Sequence, residues 1–184
     1  MAYQDLKSYQ NALIIHDFTV EFIKKYIPFN SRTCDQMAQA ARSGKQNIVE
    51  GSSEKASSKG EIKLLGVARA SFQELLEDYT DFLRQKGLAL WGKDSPQAVA
   101  VRQLAYKTDK TYTTYKAYLA YLASPEGAGN VMVCLINQTN FLLDRQIKAL
   151  EQRFIKQGGY TERLFKQRME ERKKQIYRNS MWGL

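Results

Sequence analysis

KGEIKLLGVARASFQELLEDYTDFLRQK, residues 59–86, decides the fold class. Ile62, Leu65, Phe72, Leu75, Leu76, Tyr79, Phe82 and Leu83 recur at the three-to-four spacing of one helix face, not at the alternation of a strand. Gly87 follows as a helix-ending residue. A helix this long with one apolar stripe needs other helices to cover it.

Upstream, Leu13, Ile14, Phe18 and Phe22, widened by Ile15 and Ile23, predict a first helix from Leu6 to Tyr26, stopped at Ile27-Pro28-Phe29-Asn30. Ser31 or Thr33 is the expected N-cap of a second helix, from Arg32 to Glu50. Its Ala38, Ala40, Ala41, Ser43 and Gly44 make a small-residue face, suited to close helix packing or, in a sharper reading, to a subunit contact. Gly51-Ser52-Ser53 is expected to close it, with Ala56-Ser57-Ser58 continuing the loop.

Downstream of the loop around Trp91-Gly92-Lys93-Asp94, Ser95 with Pro96 marks a helix start. This fourth helix is expected to run to Ala123, carrying Tyr106, Tyr112, Tyr115, Tyr118 and Tyr121, with Ser124-Pro125-Glu126-Gly127 as its break. A fifth helix is read over Asn130–Gln157, ended by Gly158-Gly159. A short, very basic sixth follows over Tyr160–Arg178, before an apolar tail, Met181–Leu184. The expected fold is all-α: an up-and-down antiparallel four-helix bundle over residues 1–124 with a basic, two-helix C-terminal extension over 125–184.

Composition narrows the function. With 184 residues, 43% hydrophobic, the chain has material for one domain, or one with an appendage. No apolar run approaches the roughly 20 residues of a membrane span, and Met1-Ala2-Tyr3-Gln4-Asp5 lacks a signal-peptide pattern. Cys34 and Cys134 stand far apart with no CxxC pair and read as reduced thiols of a cytoplasmic protein.

His16 is the sole histidine, so a dimetal bundle site with Glu-x-x-His pairs is absent, and no serine or cysteine has a triad around it. Glu74, Glu77, Asp78 and Asp81 share a helix surface and read as solvated or paired with a neighbour's cations. Ser43-Gly44-Lys45 lacks the upstream glycine of a phosphate loop, and Gly127-Ala128-Gly129-Asn130 lacks dinucleotide-binding spacing. No enzyme, no cofactor and no metal site is expected.

Charge gives the positive clue. Of the net +9, residues 129–184 carry +6, from eleven basic and five acidic groups. Arg163, Lys166, Arg168, Arg172, Lys173, Lys174 and Arg178 crowd together, with Arg168, Arg172 and Gln175 at i, i+4 and i+7 along one face. Such a face suits phosphate contacts, preferably through arginine. Glu162, Glu170 and Glu171 interrupt it and are candidates for intrahelical pairs, so the plain alternative is a solvated helix that maintains solubility. The tyrosines could likewise stack on bases, though Leu104, Leu119 and Leu122 among them favour packing.

Several stretches carry a resemblance. Asp5-Leu6-Lys7-Ser8-Tyr9-Gln10-Asn11-Ala12, the segment Gln36–Gly51 ending Asn47-Ile48-Val49-Glu50-Gly51, and Ala70-Ser71-Phe72-Gln73-Glu74-Leu75 resemble the opening and the second- and third-helix signatures of the bacterial four-helix-bundle proteins, also called ribosomal RNA intervening-sequence proteins. Asn130–Ile136, Leu142–Gln146, Phe154 and Gly158-Gly159 are similar to the suffix domain found on a subset of them. The resemblance implies a ring-like homopentamer. For relatives that are accessory variability proteins of diversity-generating retroelements, it also implies a positively charged surface binding a reverse transcriptase and nucleic acid. Ala38 and Gln39 stand where that family often has paired arginines, and Gly44-Lys45 where it has an Ile-Pro step. Arg42 and Lys45 remain as cations of that helix, which should run straight through Lys45 without the proline.

The expected function is a non-catalytic, self-associating helical scaffold or adaptor, cytoplasmic, touching RNA, DNA or a nucleic-acid-processing partner. Its expected contact residues are Arg42, Lys45, Arg163, Lys166, Arg168, Arg172, Lys173, Lys174 and Arg178. The alternative is a purely structural oligomer or protein-interaction module, its basic helix packed on an acidic face such as Glu74–Asp81.

Overall fold

In a computed structural model of the chain, describing residues 3–53, 58–106 and 112–181 (side chains except 105, 106, 112 and 113), 89% of the described residues are helical and none lies in a strand. A single 3-10 turn, Tyr3–Asp5, leads into α1, Lys7–Tyr26. Helix α1 stops where Ile27 turns extended before Pro28. Ser31, not Thr33, caps α2 (Arg32–Ser53): its hydroxyl accepts from the Thr33 N–H at 3.2 Å. Helix α3 spans Ser58–Gln85. It ends in a Schellman turn, with Gly87 at φ 64° and the Leu88 N–H donating to the Leu83 carbonyl at 2.9 Å.

Ser95 and Pro96 start α4 (Pro96–Tyr106), the Ser95 hydroxyl accepting from the Ala98 N–H at 3.2 Å. The expected fourth helix is α-helical on both sides of 107–111 and ends in a 3-10 turn. After α4 come α5 (Tyr112–Leu119) and a 3-10 turn over Ala120–Ala123, while 107–111 lie outside the described residues. Ser124-Pro125-Glu126-Gly127, expected to be a break, instead opens α6, Pro125–Gln157. The Ser124 hydroxyl accepts from the Gly127 N–H at 3.0 Å and Pro125 takes a first-turn position, the same arrangement as at Ser95-Pro96. Helix α7, Tyr160–Met181, follows Gly158 at φ 72°.

Four helices enclose one core. Phe18 and Phe22 of α1, Met37 and Ile48 of α2, Phe72, Leu75 and Tyr79 of α3, and Met132 and Leu135 of α6 are all fully buried in it. Neighbours run antiparallel, as their cross-contacts show. Cys34 Sγ reaches the Pro28 carbonyl and Lys45 lies beside His16 between α1 and α2. Ser43 and Ser71 share a hydrogen bond at 2.9 Å between α2 and α3. Between α3 and α6 the contacts are Leu83 with Gly129, Arg69 with Asp144 at 2.8 Å, and Glu61 with Arg153 at 3.6 Å. Between α1 and α6 the Ser8 hydroxyl donates to Gln146 at 3.1 Å, and Tyr26 donates to the Leu122 carbonyl just before α6. The fourth wall is therefore α6 and not the tyrosine-rich 95–123 segment, so the expected line at 124/125 meets the start of a core helix. Helix α4 packs on α6, and Val101 and Tyr118 join the core from outside the four walls.

Two glycines sit inside helices with a neighbour lying against them, among them Gly51, expected to close α2. A Cβ on Gly129 would come within 2.7 Å of Leu83, and one on Gly51 within 3.3 Å of Leu64, and α2 continues past Gly51 to Ser53. Helix α2 also runs unbroken through Gly44 and Lys45, as the missing proline predicts. Its small face lies against the other helices: Ala40 and Ala41 are buried, and Gly44 lies beneath the Phe72 ring.

Candidate functional site

The composition of α7 favours a helix: Arg, Lys, Glu, Gln, Leu and Met dominate, with Glu162 in the first turn and Arg178 in the last, complementing the helix dipole. Glu162 also caps it, its carboxylate accepting from the Gly159 N–H at 2.9 Å. Every residue from Tyr160 to Met181 is exposed. The tail residues Trp182–Leu184 lie outside the described residues.

Seven of the predicted cations are brought together on this one helix. At 100° per residue they surround it in three rows. Arg168 and Arg172 form one, Lys166 and Lys173 a second, and Arg163, Lys174 and Arg178 a third. The expected intrahelical neutralisation is slight. Among the described residues α7 holds one ion pair, Lys174 with Glu171 at 3.8 Å, while Glu162 is engaged at the cap. Exposed Lys148, Arg153 and Lys156 extend the positive charge down the last turns of α6, where Arg153 joins Glu61. Burial raises the Glu61 carboxyl above its usual range against the lowering effect of Arg153.

Arg42 and Lys45 belong to a different element. They lie in the middle of α2, Arg42 exposed and Lys45 half-buried with its Nζ 3.5 Å from His16 Nδ1. Arg42 is nine residues before Gly51, about 14 Å along the helix from the end that meets α3's start. His16 is held by Asp17 at 2.9 Å and Lys45, and no group of three or more His, Cys, Asp or Glu suited to a metal occurs among the described residues. In the acidic row of α3, Asp81 pairs with Arg84 of its own helix at 2.8 Å and Glu77 accepts from Gln73. Asp78 is half-buried, its carboxyl raised by burial first and then by Asp81 and Glu74. Tyr115 and Tyr121 pack against the core and Tyr118 is buried in it, so these three tyrosines serve packing. The side chains of Tyr106 and Tyr112 lie outside the described residues.

Sequence reasoning missed a second set of cations. Lys7, Lys93, Arg102 and Arg145 meet along a groove between α1, α4 and α6. They come from four separate stretches of chain, so no local spacing signals them.

Fold and surface together define an all-α protein with four packed helices and an exposed, strongly basic terminal helix. No helix among the described residues is long and apolar enough to cross a membrane. Compared with protein-family models, curated proteins and solved structures, the chain matches none.

Proposed function

We propose that this protein is a non-catalytic, self-associating helical scaffold or adaptor of the cytoplasm whose α7 contacts RNA or DNA, or a partner that processes them. The observation that carries the reading is the state of α7: seven cations on a fully exposed helix with a single internal ion pair among the described residues. An array of cations without carboxylate partners attracts a polyanion and releases its counterions on contact. The arginines Arg168 and Arg172 add paired donors for phosphate oxygens. The resemblance to the four-helix-bundle proteins with a suffix extension supports the same reading. It adds a homopentamer and a reverse transcriptase as the partners to try first.

The test is fluorescence anisotropy of labelled RNA and DNA oligomers at 50 and 200 mM salt. With about four phosphates engaged on a duplex, affinity should fall roughly a hundredfold between the two. Replacing Arg168, Arg172 and Lys173 with Glu should abolish binding and leave the circular dichroism unchanged, because all three side chains are exposed. Undiminished binding by that variant overturns the assignment to α7.

A second reading rests on a different feature of the same helix. Phe165, Met169 and Ile176 project within about 40° of one another and are 64%, 38% and 62% exposed, a stripe suited to a protein partner. On that reading the charge reversal would change sedimentation behaviour and leave nucleic acid unbound in every variant.

A further inference from the structure

The groove between α1, α4 and α6 has no part in the reading of α7. Its floor is a stripe of α6, where Cys134, Gln138, Phe141, Leu142 and Arg145 follow at helical spacing and Cys134 also touches the core. Lys7 of α1 and Arg102 of α4 form its sides, and Leu90, Trp91 and Lys93 of the α3–α4 connection close one end. Its volume is about 780 Å³, within the range of small-molecule sites.

Two properties of the lining stand together. Among the described residues four cations from four stretches of chain line the groove, Arg102 beside Lys93 and Arg145 further along α6, no carboxylate lines it, and none of the four has an ion-pair partner within 4 Å. Two of them are held in place: Arg102 donates to the Lys93 carbonyl at 2.5 Å, and the Arg145 guanidinium lies 5.8 Å from the centre of the Phe141 ring. Between the cations lies apolar surface. Phe141 is 59% and Leu90 56% exposed, both in the same groove. Gathering like charges around open apolar surface is unfavourable unless something anionic and apolar fills it.

We propose that this groove binds a small amphipathic anion, its phosphate or carboxylate head drawn to the cations that line it, Lys7, Lys93, Arg102 and Arg145, and its apolar body over Leu90, Phe141 and Leu142. Trp91 is fixed at the end of the groove, its backbone N–H donating to Asn130 and its indole N–H to Glu126, so the end wall is rigid before any ligand arrives. Cys134 lies on the floor, its thiol pushed up by burial against the lowering effect of Arg102. Half-buried in that floor, it serves as a reporter of occupancy.

The experiment uses the full chain and the aromatic anion 8-anilinonaphthalene-1-sulfonate. Saturable one-to-one binding with a fluorescence rise is expected. It should weaken at least tenfold in Lys93→Glu/Arg145→Glu, two substitutions on the groove's rim, and stay unchanged in Phe165→Ser on α7. Dodecyl phosphate and adenosine monophosphate, which share a phosphate head on an aliphatic or an aromatic body, are then tried as competitors. Displacement by either supports the site and identifies the body it prefers. In a Cys34→Ser background the bound anion should also slow alkylation of Cys134 by iodoacetamide. Absence of saturable binding, equal affinity in the double variant, or displacement by neither phosphate overturns the proposal. Because Phe165→Ser and the α7 charge reversal leave the groove intact, failure here and failure of the α7 reading are separable.

Discussion

At Gly44 the ring of Phe72 approaches so closely that a Cβ would meet it at 2.6 to 2.8 Å, while Gly66, on the third helix, has nothing within 4 Å. The same substitution therefore has opposite signs at the two positions. Gly44→Ala gains helix propensity of up to about 1 kcal/mol but forces a fully buried ring aside, an overpacking cost of about 1–3 kcal/mol, so a net loss is expected. Gly66→Ala keeps the gain. Urea unfolding of both, with Gly44→Ala/Phe72→Leu as the relieving double variant, checks the assignment. Asp78 gives a pH prediction. Its carboxyl is raised by burial, Asp81 and Glu74, so the folded chain holds that proton more tightly than the unfolded one. Stability from this residue is present in acid and is lost as pH rises through the raised value. Asp78→Asn, which mimics the protonated form, should raise Tm at pH 7 and make little difference at pH 3.5.

At the scale of elements, most helices are legible because their signals are local. Pro28 stops α1, Gly87 stops α3, Ser95-Pro96 starts α4, and Gly158-Gly159 separates α6 from α7. The start of α6 is misread for a physical reason: Ser-Pro-x-Gly serves equally as a terminator and as a cap with a first-turn proline. The deciding fact, Leu83 lying against Gly129, comes from a distant part of the chain. Ser124→Ala tests the cap. Losing the hydroxyl that accepts from Gly127 should cost about 1 kcal/mol, read as a drop of about 2–4 °C in Tm. The basic helix is visible in the sequence as a charge run. That it lies wholly exposed, with Glu162 spent on a cap, depends on where its neighbours end.

At the scale of the molecule, the pairing of helices is the part that sequence patterns leave open. The tyrosine-rich segment 95–123 and the segment that forms α6 both satisfy a bundle's demand for a fourth wall. The choice falls to α6, whose Val131, Met132, Leu135, Ile136 and Leu143 are all buried along its length. The groove follows from that choice. With α6 in the wall, α4 lies against its outer side, and cations far apart in the chain line one groove beside it.

That arrangement also imposes an order of assembly. The first three helices are joined by short connections, but the fourth wall is separated from the third by residues 86–124. Closing so long a connection, before α4 and α5 have formed, costs about 2 kcal/mol more than closing a five-residue turn. The three N-terminal helices should therefore be associated in the rate-limiting barrier, with α6 docking after it. Stopped-flow kinetics would show this as an asymmetry: Leu135→Ala should mainly accelerate unfolding, while Leu75→Ala should slow refolding. The last wall to close is then the first to open, and the segment that delays it is the one that carries one side of the cationic groove.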